Sequence, residues 1–323
     1  MGSGLFQLGD RVQLTGPKGR MSTVTLTEGG GLHTHRGVLW HSAIVGQPEG
    51  SVLTASNGDQ YLALRPLLAD YVMSMPRGAA IIYPKDAAQI LALADIRPGA
   101  TVVEAGVGSG ALSLYLLRAL GGEGRLLSFE RRPEFAEVAR GNVAGYFGEV
   151  PATWEVVLGD LAEELPARGV QADRVLLDML APWECLDAVS DALVPGGVLL
   201  CYVATVTQLS RVAEAIRATG LYTQPDSSET MVRGWHVEGL AVRPDHRMVA
   251  HTGFLITARR LAPGAVLPAP SRRASKGDFD AADVEAWTPG ALGERVKSDK
   301  RLRRVVRDAR AIAEGAGAAL DEK

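Results

Sequence analysis

The segment TVVEAGVGSGALSLYLLRAL, residues 101–120, constrains the fold more than any other stretch of the chain. A continuous apolar strand runs into three glycines within residues 106–110, and an apolar helix starts at once. The same alternation recurs around it. Strands are expected at 125–130, 153–160, 173–180 and 198–205, and helices at 133–146, near 183–193 and at 208–220. Strands that are apolar throughout and separated by helices belong to a parallel sheet covered on both faces. A further helix is expected to start at Asp86, with Gln89 as its capping-box partner. Two late strands, 229–242 and 251–260, read as a hairpin. The expected fold is therefore α/β, a parallel sheet finished by an antiparallel edge hairpin.

The flanks differ. Residues 1–65 carry short runs rich in Val, Thr, Leu and Ile at 11–15, 20–27, 37–46 and 59–66, separated by turn signals such as Asn57-Gly58. They predict a small β-barrel or sandwich domain. The main domain is expected over 66–260, entered through a linking helix. Residues 261–323 open as a Pro/Ala-rich linker and end in a basic helix.

The chain has 34 Lys and Arg against 37 Asp and Glu, a net charge of −3, which excludes a uniformly basic nucleic-acid binder but leaves room for a locally basic one. Two cysteines, Cys185 and Cys201, are too few for a disulfide framework, so a cytoplasmic address is expected. The N-terminal residues lack a signal-peptide pattern, and the longest apolar run, 198–206, is too short for a bilayer, so no membrane partner is expected. The six histidines form no ligand motif with the cysteines, and no metal site is predicted.

The glycine loop runs Glu104-Ala-Gly106-Val-Gly108-Ser109-Gly110-Ala111-Leu112. Read from Gly106 it also fits a dinucleotide-binding pattern. Three acids narrow the choice. Glu104, Glu130 and Asp160 end the first three strands of the parallel sheet, the side where open α/β sheets bind ligands. A carboxylate after the second strand suits the ribose of NAD and of S-adenosyl-L-methionine equally. Glu104 favours the latter: it would repel a pyrophosphate and attract a sulfonium and an ammonium. A fourth acid, Asp178, ends the fourth strand after Val-Leu-Leu, where an unpaired charge is costly to bury and a role is expected.

Several stretches together resemble the bacterial tRNA (adenine-N1)-methyltransferase family TrmI, which methylates adenine 58 in the T-loop. They are YPKDA (83–87), VVEAGVGSGALS (102–113), SFERRP (128–133), LLDMLAPW (176–183), YVATVTQ (202–208) and GWHVEGLAVRP (234–244). The likeness runs over roughly residues 5–265. It implies a class I methyltransferase, Rossmann-like domain behind a small N-terminal β domain, a homotetramer, and tRNA as partner. It further implies Asp178 as catalytic carboxylate and Tyr83 as an active-site aromatic. Gly106, Gly108, Ser109, Gly110, Ala111 and Leu112, with Glu104, Glu130, Asp160 and Asp178, would hold S-adenosyl-L-methionine. Phe135 stands where some relatives carry a histidine, so no polar contact is carried over there.

Adenine N1 is already a nucleophile at neutral pH, so the chemistry needs alignment and a group that offsets the cationic product. Positive surface for RNA is expected from Arg36, Arg233, Arg243 and Arg247. The tail is a further source, with Arg295, Lys297, Lys300, Arg301, Arg303, Arg304, Arg307 and Arg310 against Asp299 and Asp308. Rival readings are a methyltransferase for another RNA, a protein carboxyl or a small molecule, and an RNA-binding protein with a vestigial cofactor fold. Deleting 266–323 is expected to spare cofactor binding and weaken tRNA binding.

Overall fold

A computed structural model of the chain describes residues 4–35, 37–268 and 299–321. The N-terminal region carries β1 (Arg11–Thr15), β2 (Met21–Thr25), β3 (Gly31–His33), β4 (Val38–Trp40), β5 (Val52–Thr54) and β6 (Gln60–Leu64). An antiparallel sheet in the order β2-β1-β6-β5 and the separate pair β3-β4 enclose Phe6, Val12, Leu14, Leu26, Leu39, Ile44 and Ala63. The run expected as one strand over 37–46 stops at Trp40 and turns through His41–Ala43. The cause is His41, which is drawn inward so that its Nδ1 accepts the Thr27 N–H at 3.0 Å.

The remainder is α1 (Leu68–Ser74), α2 (Pro84–Leu93), β7 (Thr101–Ala105), α3 (Ala111–Leu120), β8 (Arg125–Glu130), α4 (Pro133–Phe147) and β9 (Trp154–Leu158). There follow α5 (Leu161–Ala167), β10 (Ala172–Asp178), α6 (Leu186–Ala192), β11 (Leu193–Val203), α7 (Val206–Thr219) and β12 (Asp226–Ser228). The chain continues through β13 (Val232–Glu238), β14 (Ala241–Val249) and β15 (Phe254–Arg259), and then α8 (Asp299–Asp321). The central sheet runs β12-β15-β11-β10-β7-β8-β9. Strands β7 to β11 pair in parallel, while β15 runs antiparallel to both β11 and β12. Alternate residues feed two cores: Val102 and Leu126 pack with α3 on one face, Val103 and Leu127 with α6 on the other. That two-sided burial is why these strands are apolar throughout. Cys185 and Cys201 are free and buried, packed as small apolar residues.

Three expectations change. Helix α2 starts at Pro84 with Tyr83 preceding it, because proline suits a first helical turn. Asp86 is therefore inside the helix and fully buried. The expected hairpin of 229–242 with 251–260 does not form. Instead β13 pairs with β14 as a separate ribbon, and β15 joins the central sheet between β11 and β12. Finally, β11 begins at Leu193, before the Pro195-Gly196-Gly197 turn, at the cost of a register irregularity opposite Ala172 and Arg174. Among the described residues no helix is long and apolar enough to cross a membrane, and no group of three or more metal-ligating side chains occurs.

Candidate active site

The chain runs outward from β7 to β8 and β9, then returns to place β10 on the other side of β7. The two crossovers part between β7 and β10, and ligands bind at such a switch point beyond the strand carboxyl ends. A cleft of about 430 Å³ lies there, lined by Tyr83, Gly106, Gly108, Glu130, Asp178 and Tyr202, among others.

The glycine loop shapes its floor. Gly106 has φ +85°, and a Cβ there would stand 1.8 Å from the Asp178 carbonyl oxygen. Only a glycine lets the β7 loop and the end of β10 touch in this way. A Cβ at Gly108 (φ +55°) would meet nothing closer than 3.9 Å, so a ligand can approach its backbone closely. The Gly108 N–H donates to Glu130 Oε2 at 3.1 Å, and the Arg132 N–H donates to Oε1 at 3.1 Å. Glu130 is thus fixed at the cleft wall and only 5% exposed, with lone pairs left for a ligand. The Arg132 guanidinium lies 4.0 Å over the Phe135 ring.

Asp178 ends β10 opposite Tyr202 of β11. Asp178 lines the cleft and is half-buried. Desolvation, reinforced by the charges of Glu104 and Glu130, pushes its pKa up to about 7. Gln208 holds the following segment in place: it donates to the Leu180 carbonyl at 3.0 Å and accepts from the N–H groups of Ala204 and Thr205. Tyr83, positioned by the start of α2, faces the same cleft.

The loop brings other residues elsewhere. Ser109 is buried, accepting the Gly78 N–H, while its carbonyl accepts from Asn142. Gly110, Ala111 and Leu112 open α3 beneath the cleft and do not line it. Asp160 caps α5, accepting the Ala162 N–H at 2.9 Å. Glu104 is 1% exposed and lies behind the loop, where its Oε2 accepts from Ser113 (2.7 Å) and Ser128 (2.6 Å). Trp154 in turn donates to Ser128 at 2.8 Å. The carboxylate expected to meet a cationic ligand directly is therefore a buried member of a polar cluster. Burial, which outweighs the two serine bonds, raises its pKa to about 7.

That shift has a consequence for stability. A carboxyl bound more tightly to its proton in the folded state favours folding below its unfolded pKa, and this contribution is lost as pH rises through about 7. Glu104→Gln, an isostere of the protonated form, should flatten the fall in thermal stability between about pH 5 and 8. Melting temperatures of both proteins across that range check it, and parallel curves would contradict it.

Sequence reasoning missed a cluster at the far wall. Lys85 Nζ lies 2.7 Å from Asp86 Oδ1 and donates to Thr252 Oγ1 at 2.6 Å, while Thr252 donates to Asp86 Oδ2 at 2.5 Å. The adjacency of Lys85 and Asp86 was visible, but their partner lies 166 residues away from Asp86 on the segment leading into β15.

A seven-stranded sheet of this order, with a glycine loop and an acid after its second strand at the switch point, defines a class I methyltransferase fold. The chain belongs to the tRNA (adenine-N1)-methyltransferase family. Residues 62–240 match the model of the tRNA methyltransferase complex GCD14 subunit, and residues 4–53 match the TrmI-like N-terminal model. It is 36% identical over 252 residues to tRNA (adenine(58)-N(1))-methyltransferase TrmI of Thermus thermophilus, covering 75% of this chain and 94% of the relative. A Methanocaldococcus jannaschii relative, named tRNA (adenine(57)-N(1)/adenine(58)-N(1))-methyltransferase TrmI, is 31% identical over 235 residues, 65% of this chain and 82% of its own. Among solved structures, TrmI from Aquifex aeolicus superposes with a TM-score of 0.71 at 25% identity, covering 80% of this chain and all of the other. A SAM-dependent O-methyltransferase from Thermotoga maritima gives a TM-score of 0.75 at 28% identity, over 80% and 96%.

Proposed function

We propose that the protein transfers a methyl group from S-adenosyl-L-methionine to N1 of adenine 58 in tRNA. The observation that carries this reading is the convergence of Asp178 and Tyr83 on the cleft formed by Gly106, Gly108 and Glu130, in a chain that spans 94% of the Thermus enzyme.

The cleft fits S-adenosyl-L-methionine by its charge and its open backbone. Glu130 and Asp178 line it, Glu104 sits behind it, Arg132 stands at its rim, and Lys85 at the far wall is paired with Asp86. That balance favours a cationic ligand over the pyrophosphate of a dinucleotide. When bound, S-adenosyl-L-methionine supplies a methyl group on a sulfonium centre. Glu130 would hold ribose hydroxyls, and Gly106 and Gly108 would let the ligand approach the backbone. Ser109, Gly110, Ala111, Leu112, Glu104 and Asp160 act from outside the lining: they set the loop, start the helix or cap α5.

On the acceptor side, Asp178 Oδ accepts a hydrogen bond from the exocyclic amine of adenine, which orients N1. As N1 acquires positive charge the ionised carboxylate offsets it, an interaction stronger in the transition state than before it. Tyr83 provides a ring against which an extracted base can stack.

Glu130→Ala is expected to weaken S-adenosylhomocysteine binding by about 1.5–3 kcal/mol, the loss of a charge-assisted bond. Calorimetry on both proteins reads this directly, and unchanged affinity would remove Glu130 from the ribose site. The functional reading is tested with transcripts of one tRNA carrying adenine or guanine at position 58. Labelled methyl should enter only the first; equal incorporation would exclude adenine 58 as the acceptor.

The assembly implied by the family likeness is a homotetramer. It is supported by the β13–β14 ribbon, which leaves Trp235, Val237, Leu240 and Val242 between 57% and 104% exposed, an apolar surface suited to another copy of the chain. A cytoplasmic location follows from a tRNA substrate. We divide the chain into residues 1–65, 66–260 and 261–323, and the separate core of the N-terminal sheet supports the first boundary.

A further inference from the structure

The family models end at residue 240, yet α8 is packed onto the body of the protein. Two glycines of α4 make room for it. A Cβ on Gly141 would stand 2.7 Å from the Ala309 carbonyl oxygen, and one on Gly145 would stand 2.1 Å from the Ile312 side chain. In the N-terminal region, a Cβ on Gly9 would stand 2.3 Å from the Gly315 carbonyl oxygen. Ala309 is completely buried, and Arg310 pairs with Glu137 at 2.8 Å. Helix α8 therefore straps α4 to the N-terminal β region.

Docking buries Ala309 and half-buries Leu302, Val305, Val306 and Ile312. What remains outward is charge. Residues 300–310 hold six basic side chains and one acid, Asp308. Lys300 and Arg304, and Arg303 and Arg307, stand four residues apart, a like-charge spacing that destabilises a helix by itself. Asp308 meets Arg304 and Arg307 only at 3.8 and 3.5 Å, and Lys300, Arg301 and Arg303 have no ion pair among the described residues. Arg295, Lys297 and Arg36, counted with these in the sequence, lie outside the described residues.

The register decides where this charge points. Arg310 meets Glu137, Ala309 meets Gly141 and Ile312 meets Gly145, so α8 runs in the same sense as α4. Its basic half thus lies at the start of α4, where Arg303 and Arg307 share a groove of about 720 Å³ with Glu134 and Glu137. Pro133, the first residue of α4, directly follows the cleft residue Arg132.

We propose that α8 is a docked RNA-binding strap whose outward Lys300, Arg301, Arg303, Arg304 and Arg307 contact phosphates of the substrate tRNA beside the cleft. The proposal rests on the tRNA reading above. Extracting a stacked base costs free energy that phosphate contacts elsewhere can offset. The expected deletion of 266–323 would also bare α4 around Gly141 and Gly145, so charge reversal in the full chain is the cleaner probe.

The test compares wild type with Arg301→Glu/Arg303→Glu/Arg304→Glu and with Gly141→Leu, which undocks α8 with its charges intact. tRNA affinity is measured from about 50 to 200 mM salt, alongside S-adenosylhomocysteine binding. The triple variant should bind tRNA at least about tenfold more weakly at low salt, with a log–log salt slope shallower by about two to three. Gly141→Leu should lose comparable affinity and lose hydrogen-exchange protection over 299–315. Both should bind S-adenosylhomocysteine normally and, at saturating tRNA, form the same methylated nucleoside as wild type. Unchanged tRNA affinity and slope in the triple variant would overturn the proposal, as would unchanged affinity in an undocked Gly141→Leu. A wild-type protein that binds S-adenosylhomocysteine but methylates no tRNA would instead overturn the functional reading, which separates the two failures.

Discussion

Asp178→Ala should lower methyl transfer by at least about 10²-fold while leaving the fold intact, the scale of removing one electrostatic stabiliser of a transition state. The residue acts where charge develops, so the loss falls on kcat more than on KM. Its raised pKa adds a second signature. Ionised Asp178 is the active form, so kcat/KM should rise with pH through about 7. Cationic charge brought into the cleft draws that pKa down, so the limb in kcat should lie at lower pH. Asp178→Asn separates orientation from charge: its amide oxygen can still accept from the adenine amine, but the limb disappears. Near-normal turnover in Asp178→Ala would move the chemistry to another residue.

The second large effect is expected at Gly106. Alanine there meets both a left-handed backbone, φ +85°, and the Asp178 carbonyl at 1.8 Å from its Cβ. The first penalty is a general one of roughly 1–2 kcal/mol. The second is local: the loop and the end of β10 must separate, displacing the cofactor floor and Asp178 together. Cofactor affinity should fall by at least about tenfold and turnover should nearly vanish. Gly99→Ala is the control, with a similar φ of +80° and nothing within 4 Å. It should lose stability alone. If both variants bound S-adenosylhomocysteine as wild type does, close contact at Gly106 would not matter to the site.

The fold was legible because β7 to β11 are buried on both faces and must be apolar throughout. Helix α3 and strand β8 stand at their expected bounds for that reason. What misled was pairing. The composition of 229–242 announces a strand but not its neighbour, and β15 pairs with β11 and β12 through contacts that no local pattern records. At the site, residue type and strand position pointed to Glu130 and Asp178, and both line the cleft. Glu104 shows the limit of that reasoning. Its place at the end of β7 was readable, but the side to which its carboxylate turns depended on Ser113, Ser128 and Trp154, which come from three separate elements. The tail carried its charge openly in the sequence. Its docking did not show, since nothing local in α4 tells that Gly141 and Gly145 lie beneath another helix.

The most direct measurement is nucleoside analysis of an unmodified tRNA transcript incubated with the protein and isotopically labelled S-adenosyl-L-methionine, followed by mapping of the labelled position. A single labelled nucleoside, 1-methyladenosine, is expected at position 58, formed by the wild type and lost in Asp178→Ala. Label on another atom such as adenine N6, on another position, or not in tRNA at all would contradict it.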